Sequence, residues 1–145
     1  MRKYKIGYTA GVYDMFHIGH LNILMNAKKY CEHLIVAVST DEVVQENKHK
    51  TPIIKYEDRA RIVEAIRYVD EVVPQTDYND KISAAKKYKI DVMFVGDDWK
   101  GSKKWMLIEE QLKEIGVALV YLPYTHSVSS TLLRETIYGA DKELK

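Results

Sequence analysis

Residues 11–20 read Gly-Val-Tyr-Asp-Met-Phe-His-Ile-Gly-His, and they mark the point where a strand gives way to a helix. An apolar, β-prone run over residues 4–9 precedes them, and Leu21, Leu24 and Met25 follow at helical spacing. Gly11 lets the backbone approach whatever lies above the end of the strand. The stretch therefore predicts a strand-to-helix junction.

The two histidines of this stretch are three residues apart, so they share one face of the first helical turn. Free backbone N–H groups and the positive end of the helix dipole favour an anion there, and Gly19 removes a side chain between the two imidazoles. His17 and His20 therefore predict a phosphate-handling turn. The pair alone also fits two polar residues on an exposed turn, or half of a metal site that would need further ligands.

Apolar runs and helical patterns alternate along the rest of the chain. They predict strands over residues 5–9, 34–39, 71–74, 92–95 and 118–122, and helices over residues 20–30, 56–67, 81–88, 104–115 and 129–138. This order predicts an α/β fold, a Rossmann-like doubly wound parallel sheet of about five strands with helices on both faces. We expect residues 1–145 to form a single domain, with its ligands beyond the carboxyl ends of the strands, where the strand order switches.

Composition limits the classes of partner. The 22 basic and 21 acidic residues leave a net charge of +1, so the chain has no electrostatic footprint for nucleic acid or an anionic membrane. Its first residues lack an apolar signal region, and no apolar run approaches the roughly 18 residues of a membrane span. The single cysteine, Cys31, is expected inside the helix that follows the first strand; it excludes an internal disulfide and suits a reducing cytoplasm.

A second chemical cluster lies at residues 124–131, Tyr-Thr-His-Ser-Val-Ser-Ser-Thr, directly after the last predicted strand. Ser129 is a candidate helix N-cap, and hydroxyls and free amides at such a terminus can hold phosphate oxygens. Ser/Thr runs before helices are often caps alone. Two phosphate-suited helix starts in one short domain favour shared binding of a triphosphate.

Five motifs, in order and with similar spacing, resemble those of the HxGH-type nucleotidyltransferase superfamily, and most closely the small bacterial glycerol-3-phosphate cytidylyltransferases. Residues 11–20 match the signature G-x-[FY]-D-x-x-H-x-G-H, and the other matches lie at residues 39–42, 56–59, 67–72 and 96–99. Residues 129–131 resemble the end of the R-T-E-G-I-S-T-T motif of these enzymes. The resemblance covers nearly the whole chain.

The resemblance implies that an oxygen of a phosphate or phosphonate acceptor attacks the α-phosphorus of CTP, and that pyrophosphate leaves in line. Glycerol 3-phosphate is the leading acceptor. The residues assigned to catalysis are His17, His20, Lys50 and Arg67; those assigned to the nucleotide are Gly11, Val12, Tyr13, His17, His20, Gly96, Asp98, Tyr124, Thr125, Ser129, Ser130 and Thr131; those assigned to the acceptor are Lys48, Lys50, Arg67 and Lys81. The resemblance also implies that Lys48 and Lys50 belong to a flexible segment that closes over the phosphates, and that Arg67 reaches the reacting phosphates.

Further expectations concern the metal, the assembly and one arginine. Mg²⁺ is expected on the triphosphate, mainly through phosphate and water, with Asp14 as the candidate protein ligand. The alternative for Asp14 is a side-chain hydrogen bond that stabilises its turn. Arg59 is interpreted as a surface charge or an ion-pair partner. The family also implies a homodimer.

One departure keeps alternatives open. Tyr124 stands where the related enzymes carry arginine, and a phenol cannot neutralise phosphate charge as a guanidinium does. The base of the nucleotide and the acceptor are therefore unsettled by the sequence. The alternatives are an adenylyltransferase of the same superfamily that uses ATP, a nucleotide-binding protein without catalysis, and a metal-binding protein built on His17 and His20.

Overall fold

The computed structural model describes residues 3–123, 125, 131 and 133–137. Its strands are β1 (Tyr4–Gly11), β2 (Cys31–Ser39), β3 (Glu71–Gln75), β4 (Val92–Gly96) and β5 (Ala118–Leu122), and its helices are α1 (Ile18–Lys28), α2 (Asp41–Lys48), α3 (Tyr56–Glu64), α4 (Lys81–Tyr88) and α5 (Lys103–Glu114). A short 3₁₀ turn, Asp97–Trp99, follows β4. Residues 131 and 133–137 are helical.

The five strands form one parallel sheet in the order β3-β2-β1-β4-β5. The chain builds outward from β1 to β3 and then returns to add β4 on the other side of β1. The strand order therefore switches between β1 and β4, where a doubly wound sheet opens a crevice at its carboxyl edge. This confirms the predicted fold class and places residues 11–20 at the switch.

Helices cover both faces of the sheet. Buried residues of α4 and α5, such as Ala85 and Leu112, pack with Tyr8 and Met93 on one face. Leu24 of α1 and Val63 of α3 pack with the alternate strand residues on the other face. Side chains of successive strand residues point to opposite faces, so strands buried on both sides read as continuous apolar runs.

Two local predictions are wrong. Residues 41–48 form α2, a helix that is absent from the predicted elements; only Val43 and Val44 are buried there, too few to give a clear helical period. The signal that was present is the cap, since the Thr40 hydroxyl accepts a hydrogen bond from the Val43 amide. Cys31 begins β2 rather than lying in a helix, because α1 ends at Lys28. No helix among the described residues is long and apolar enough to cross a membrane.

Candidate active site

Two histidines cap the helix that follows β1. The amide of Gly19 donates a hydrogen bond to Nδ1 of His17 (3.1 Å), and the amide of His17 donates one to Nδ1 of His20 (3.2 Å). The side chains thus form a capping box. Imidazole nitrogens accept the backbone hydrogen bonds that hydroxyl and carboxylate oxygens usually accept in this motif. The cap fixes the position of both rings before any ligand arrives.

This cap also fixes where the imidazole protons lie. Because Nδ1 of each ring accepts a hydrogen bond, the neutral ring carries its proton on Nε2. The two rings stack with centroids 3.9 Å apart, and Nε2 of His17 is buried without a hydrogen-bond partner among the described residues. A buried donor without a partner is energetically costly. The Nε2–H group of His17 therefore suits a ligand that supplies an acceptor atom.

Burial keeps both histidines neutral. It lowers the pKa of His17, and together with the neighbouring His17 ring it lowers the pKa of His20 to about 3, although the Asp14 charge opposes this shift. At neutral pH the pair therefore offers two N–H donors and no added positive charge.

The backbone of the loop between β1 and α1 is strained where it positions the two histidines. Tyr13 and Met15 both have positive φ, at 55° and 51°, which costs non-glycine residues energy and is concentrated at functional sites. Gly19 is required by the stack, since a Cβ atom there would lie 2.9 Å from Cε1 of His17. At Gly11 a Cβ atom would lie 3.0 Å from the Tyr13 ring.

A cavity of about 310 Å³ opens beside the histidine pair, at the carboxyl ends of β1 and β4. It brings together every predicted nucleotide-binding residue that the structure describes. These are Gly11, Val12, Tyr13, His17, His20, Gly96, Asp98, Thr125 and Thr131, and they are joined by Lys48 and Lys50. Lys48 is the last residue of α2 rather than part of a loop. The predicted positions Tyr124, Ser129 and Ser130 lie outside the described residues.

Asp14 holds the lysine-bearing segment against the site. Its two carboxylate oxygens accept hydrogen bonds from the amides of Ile53 (2.8 Å) and Ile54 (2.9 Å), and the side chain is almost fully buried. These bonds span 39 and 40 residues, so Asp14 positions the segment before α3 rather than only its own turn. Its role as a metal ligand stays a prediction. Among the described residues, no group of three metal-ligating side chains comes together.

Arg134 is a site residue that the sequence reading missed. It lines the cavity, donates a hydrogen bond to the carbonyl of Thr51 (3.0 Å) and lies 3.6 Å from the Asp14 carboxylate. Arg134 therefore supplies a guanidinium to the cavity. This chain has tyrosine, not arginine, at position 124. The available signal was its position three residues after Thr131, which puts the two side chains on one helical face.

Arg59 is buried and joins the loops of the site. Its guanidinium donates hydrogen bonds to the carbonyls of Val12 (2.7 Å), Ser39 (2.8 Å) and Ile54 (2.7 Å), and it pairs with Asp41 at 2.6 Å. One planar cation thus fixes the ends of β1 and β2 and the segment before α3. The ion-pair interpretation of Arg59 is confirmed, but the side chain is part of the interior.

A second cavity of about 290 Å³ adjoins the first, and Gly11, Val12 and Lys48 line both. Lys81 lines only the second cavity, is almost fully buried, and lies with its ammonium 5.7 Å from the Trp105 ring centroid. Burial and the nearby Lys104 lower the pKa of Lys81 to about 8. The predicted acceptor residue Lys81 is therefore next to the nucleotide cavity but not in it.

Arg67 is the predicted site residue that the structure places elsewhere. It is exposed on the turn that precedes β3, and that turn lies at the amino ends of the strands, where the Asp70 amide bonds the carbonyl of Leu34. The cavities lie at the opposite edge of the sheet. Within one chain, Arg67 cannot clamp the phosphates as the motif resemblance implied.

These features define an α/β protein with a histidine-capped helix N-terminus and two adjoining cavities at the switch point of its sheet. The chain belongs to the cytidylyltransferase-like family, whose model matches residues 8–136. It is 40% identical over 131 residues to glycerol-3-phosphate cytidylyltransferase from Bacillus subtilis, which covers 90% of this chain and 95% of that protein. The resemblance found in the sequence is confirmed.

Other relatives widen the comparison. FAD synthase from Pyrococcus abyssi is 39% identical over 120 residues, which covers 81% of this chain and 80% of that protein. Among solved structures, a lipopolysaccharide core biosynthesis protein from Thermoplasma volcanium superposes with a TM-score of 0.69 at 22% identity, over 84% of this chain and 97% of that one. At that identity the last likeness supports the fold alone.

The neutral state of His20 predicts a pH dependence of stability. The folded protein keeps His20 neutral down to about pH 3, whereas the unfolded chain protonates it below the ordinary pKa of 6.5. Because the unfolded state binds more protons in this interval, the free energy of unfolding falls as the pH decreases from 6.5. We expect His20→Asn to weaken this dependence in urea unfolding at a series of pH values.

The matched control is His49→Asn. His49 is exposed and has a left-handed backbone, which asparagine tolerates, so this variant should keep the wild-type dependence on pH. An unchanged slope for His20→Asn would contradict the neutral assignment.

Proposed function

We propose that the protein transfers CMP from CTP to a small phosphate or phosphonate acceptor, releasing pyrophosphate, with glycerol 3-phosphate as the leading acceptor. The observation that carries the proposal is the pair of neutral histidines, whose Nε2 atoms carry protons beside a cavity that Lys48, Lys50 and Arg134 also line. Family membership and the Bacillus subtilis relative support CTP and a polyol phosphate.

The reaction follows from the positions of these groups. An acceptor oxygen attacks the α-phosphorus, a new P–O bond forms, and the bond to pyrophosphate breaks. Nε2–H groups of His17 and His20 donate to the phosphate oxygens on which negative charge grows. Lys50 and Arg134 bind the triphosphate, and Lys48, at the boundary of the two cavities, neutralises charge on both reactants.

Mg²⁺ enters this proposal as part of the nucleotide substrate. The Asp14 carboxylate is already engaged by two amides, and Asp98 is an exposed carboxylate in the first cavity. The metal would therefore be held mainly by phosphate and water, as Mg²⁺ usually is. We also propose a homodimer and a cytoplasmic location, which rest on the family and on the single cysteine.

A pyrophosphate-release assay with a matrix of substrates tests the proposal. CTP, ATP, GTP and UTP are each combined with glycerol 3-phosphate, hydroxyethylphosphonate, FMN or no acceptor, with Mg²⁺ or with EDTA. We expect release that requires CTP, acceptor and Mg²⁺ together. Faster release from ATP with FMN would favour the activity named in the Pyrococcus abyssi relative. No release from any pair would favour a nucleotide-binding protein without catalysis.

A further inference from the structure

The second cavity holds more positive charge than a single phosphate needs. Three lysines line it, Lys48, Lys81 and Lys104, and no carboxylate is among its described lining residues. A phosphomonoester carries a charge of about −1.5 to −2 at neutral pH, which two ammonium groups balance. Lys48, at the boundary of the two cavities, and the buried Lys81 already supply these two groups. The charge of Lys104 exceeds what one phosphate requires.

Polar groups without partners line the same cavity. Lys81, more than nine-tenths buried, forms no hydrogen bond or ion pair with any described residue. Lys104 also lines the cavity and is exposed to solvent. The buried hydroxyl of Tyr78 makes no hydrogen bond of good geometry within the described chain. Lys48 lies 5.7 Å from the Tyr78 ring centroid. Buried donors that the protein leaves unpaired are expected to meet acceptor atoms of a ligand.

The relative position of the two cavities indicates which part of the acceptor these donors contact. It is the end of the acceptor opposite its reacting phosphate. The attacking oxygen must reach the α-phosphorus beside His17 and His20, so the reacting phosphate lies near the residues that line both cavities. Tyr78 and Lys104 line only the second cavity. They therefore face the part of the acceptor that does not react. An anionic group at that end would accept hydrogen bonds from both side chains.

We propose that Tyr78 and Lys104 select an acceptor that carries a second anionic group, such as a carboxylate, at the end opposite its reacting phosphate or phosphonate. This inference rests on the proposed function. Within its class of phosphate and phosphonate acceptors, it ranks an acceptor with a second anion above glycerol 3-phosphate. The transfer itself is unchanged: the phosphate oxygen of the acceptor attacks, pyrophosphate leaves, and the second anion stays bound. The Lys104 ammonium is close enough to help lower the pKa of Lys81, so the two cations together favour an anion in this cavity.

Two acceptors that differ only at the far end test this selection. 3-Phosphoglycerate carries a carboxylate where glycerol 3-phosphate carries a hydroxymethyl group. We expect kcat/KM with CTP to favour 3-phosphoglycerate by about tenfold, the usual size of a charge-assisted hydrogen bond. Lys104→Met should lower the ratio of the two kcat/KM values to near one, and Tyr78→Phe should lower it in part. Lys103→Met, an exposed neighbour on α5 that lines neither cavity, should leave the ratio unchanged.

The outcomes separate this inference from the proposed function. If the wild type prefers glycerol 3-phosphate, or if Lys104→Met lowers both kcat/KM values equally, the second anion site is wrong while cytidylyl transfer stands. If neither acceptor releases pyrophosphate from CTP, while the substrate matrix also gives none, the proposed function fails. Far-ultraviolet circular dichroism of Lys104→Met and Tyr78→Phe confirms that the variants are folded.

Discussion

Replacing His17 or His20 by alanine is expected to lower kcat by about 10²–10³, with a much smaller change in KM for CTP. The physical reason is that a fixed N–H donor gains strength as charge develops on the phosphate oxygens, and it needs no reorganisation at that moment. Loss of one such donor costs about 2.7–4 kcal/mol in comparable sites. Steady-state kinetics at saturating acceptor measures both parameters.

His17 also caps α1, so its alanine variant confuses two effects. Losing an N-cap costs about 1 kcal/mol of folding free energy. His17→Asn separates them, because an asparagine oxygen can still accept from the Gly19 amide while the Nε2–H donor is gone. We expect this variant to unfold at a temperature near that of the wild type and to lose kcat nonetheless. A kcat near the wild-type value in His17→Asn and His20→Ala would return both residues to a purely structural role.

Arg59→Met is expected to lower the free energy of unfolding by about 3–5 kcal/mol, since each buried acceptor left without its donor costs about 1–3 kcal/mol. The substitution leaves the carbonyls of Val12, Ser39 and Ile54 without their donor and Asp41 without its cation. Because these groups end the strands at the site, kcat/KM should fall as well. Urea unfolding gives the stability, and pyrophosphate release gives the activity.

Two further variants serve as controls for Arg59→Met. Arg61→Met removes an exposed arginine of the same helix, and surface substitutions usually change stability by less than about 0.5 kcal/mol. Arg59→Lys keeps the charge but loses the planar set of donors, so it should be intermediate and folded even if Arg59→Met is not. Equal stability of Arg59→Met and Arg61→Met would contradict the proposed role of Arg59 in joining the loops.

The fold was largely predictable because buried parallel strands leave a strong local signal. The limits of α4 and β5 are those expected from the sequence, and β1 to β4 were extended by one to several residues at their ends. The helix that was not predicted, α2, is eight residues long and has two buried valines. This is too short for a helical periodicity to be recognised. Its cap and first-turn acids were the only local evidence.

The site was predictable where its chemistry is local and not where it depends on tertiary contacts. His17, Gly19 and His20 lie within one turn, so their spacing alone brings them together. The distant contacts of Asp14 with Ile53 and Ile54, and of Arg134 with Thr51, join segments far apart in the sequence. Arg67 is a different case. It precedes the predicted strand at residues 71–74, so the sequence already placed it at the amino end of that strand, and the motif resemblance was followed instead.

Product identity tests the central claim most directly. The protein is mixed with CTP, Mg²⁺ and an acceptor from the glycerol 3-phosphate and 3-phosphoglycerate pair, and the reaction is followed by ³¹P NMR. We predict that the triphosphate signals disappear while pyrophosphate and a new diphosphate diester appear in equal amounts, and only when the acceptor is present. CTP that stays intact with every phosphate and phosphonate acceptor, or that is hydrolysed without incorporating one, would contradict cytidylyl transfer.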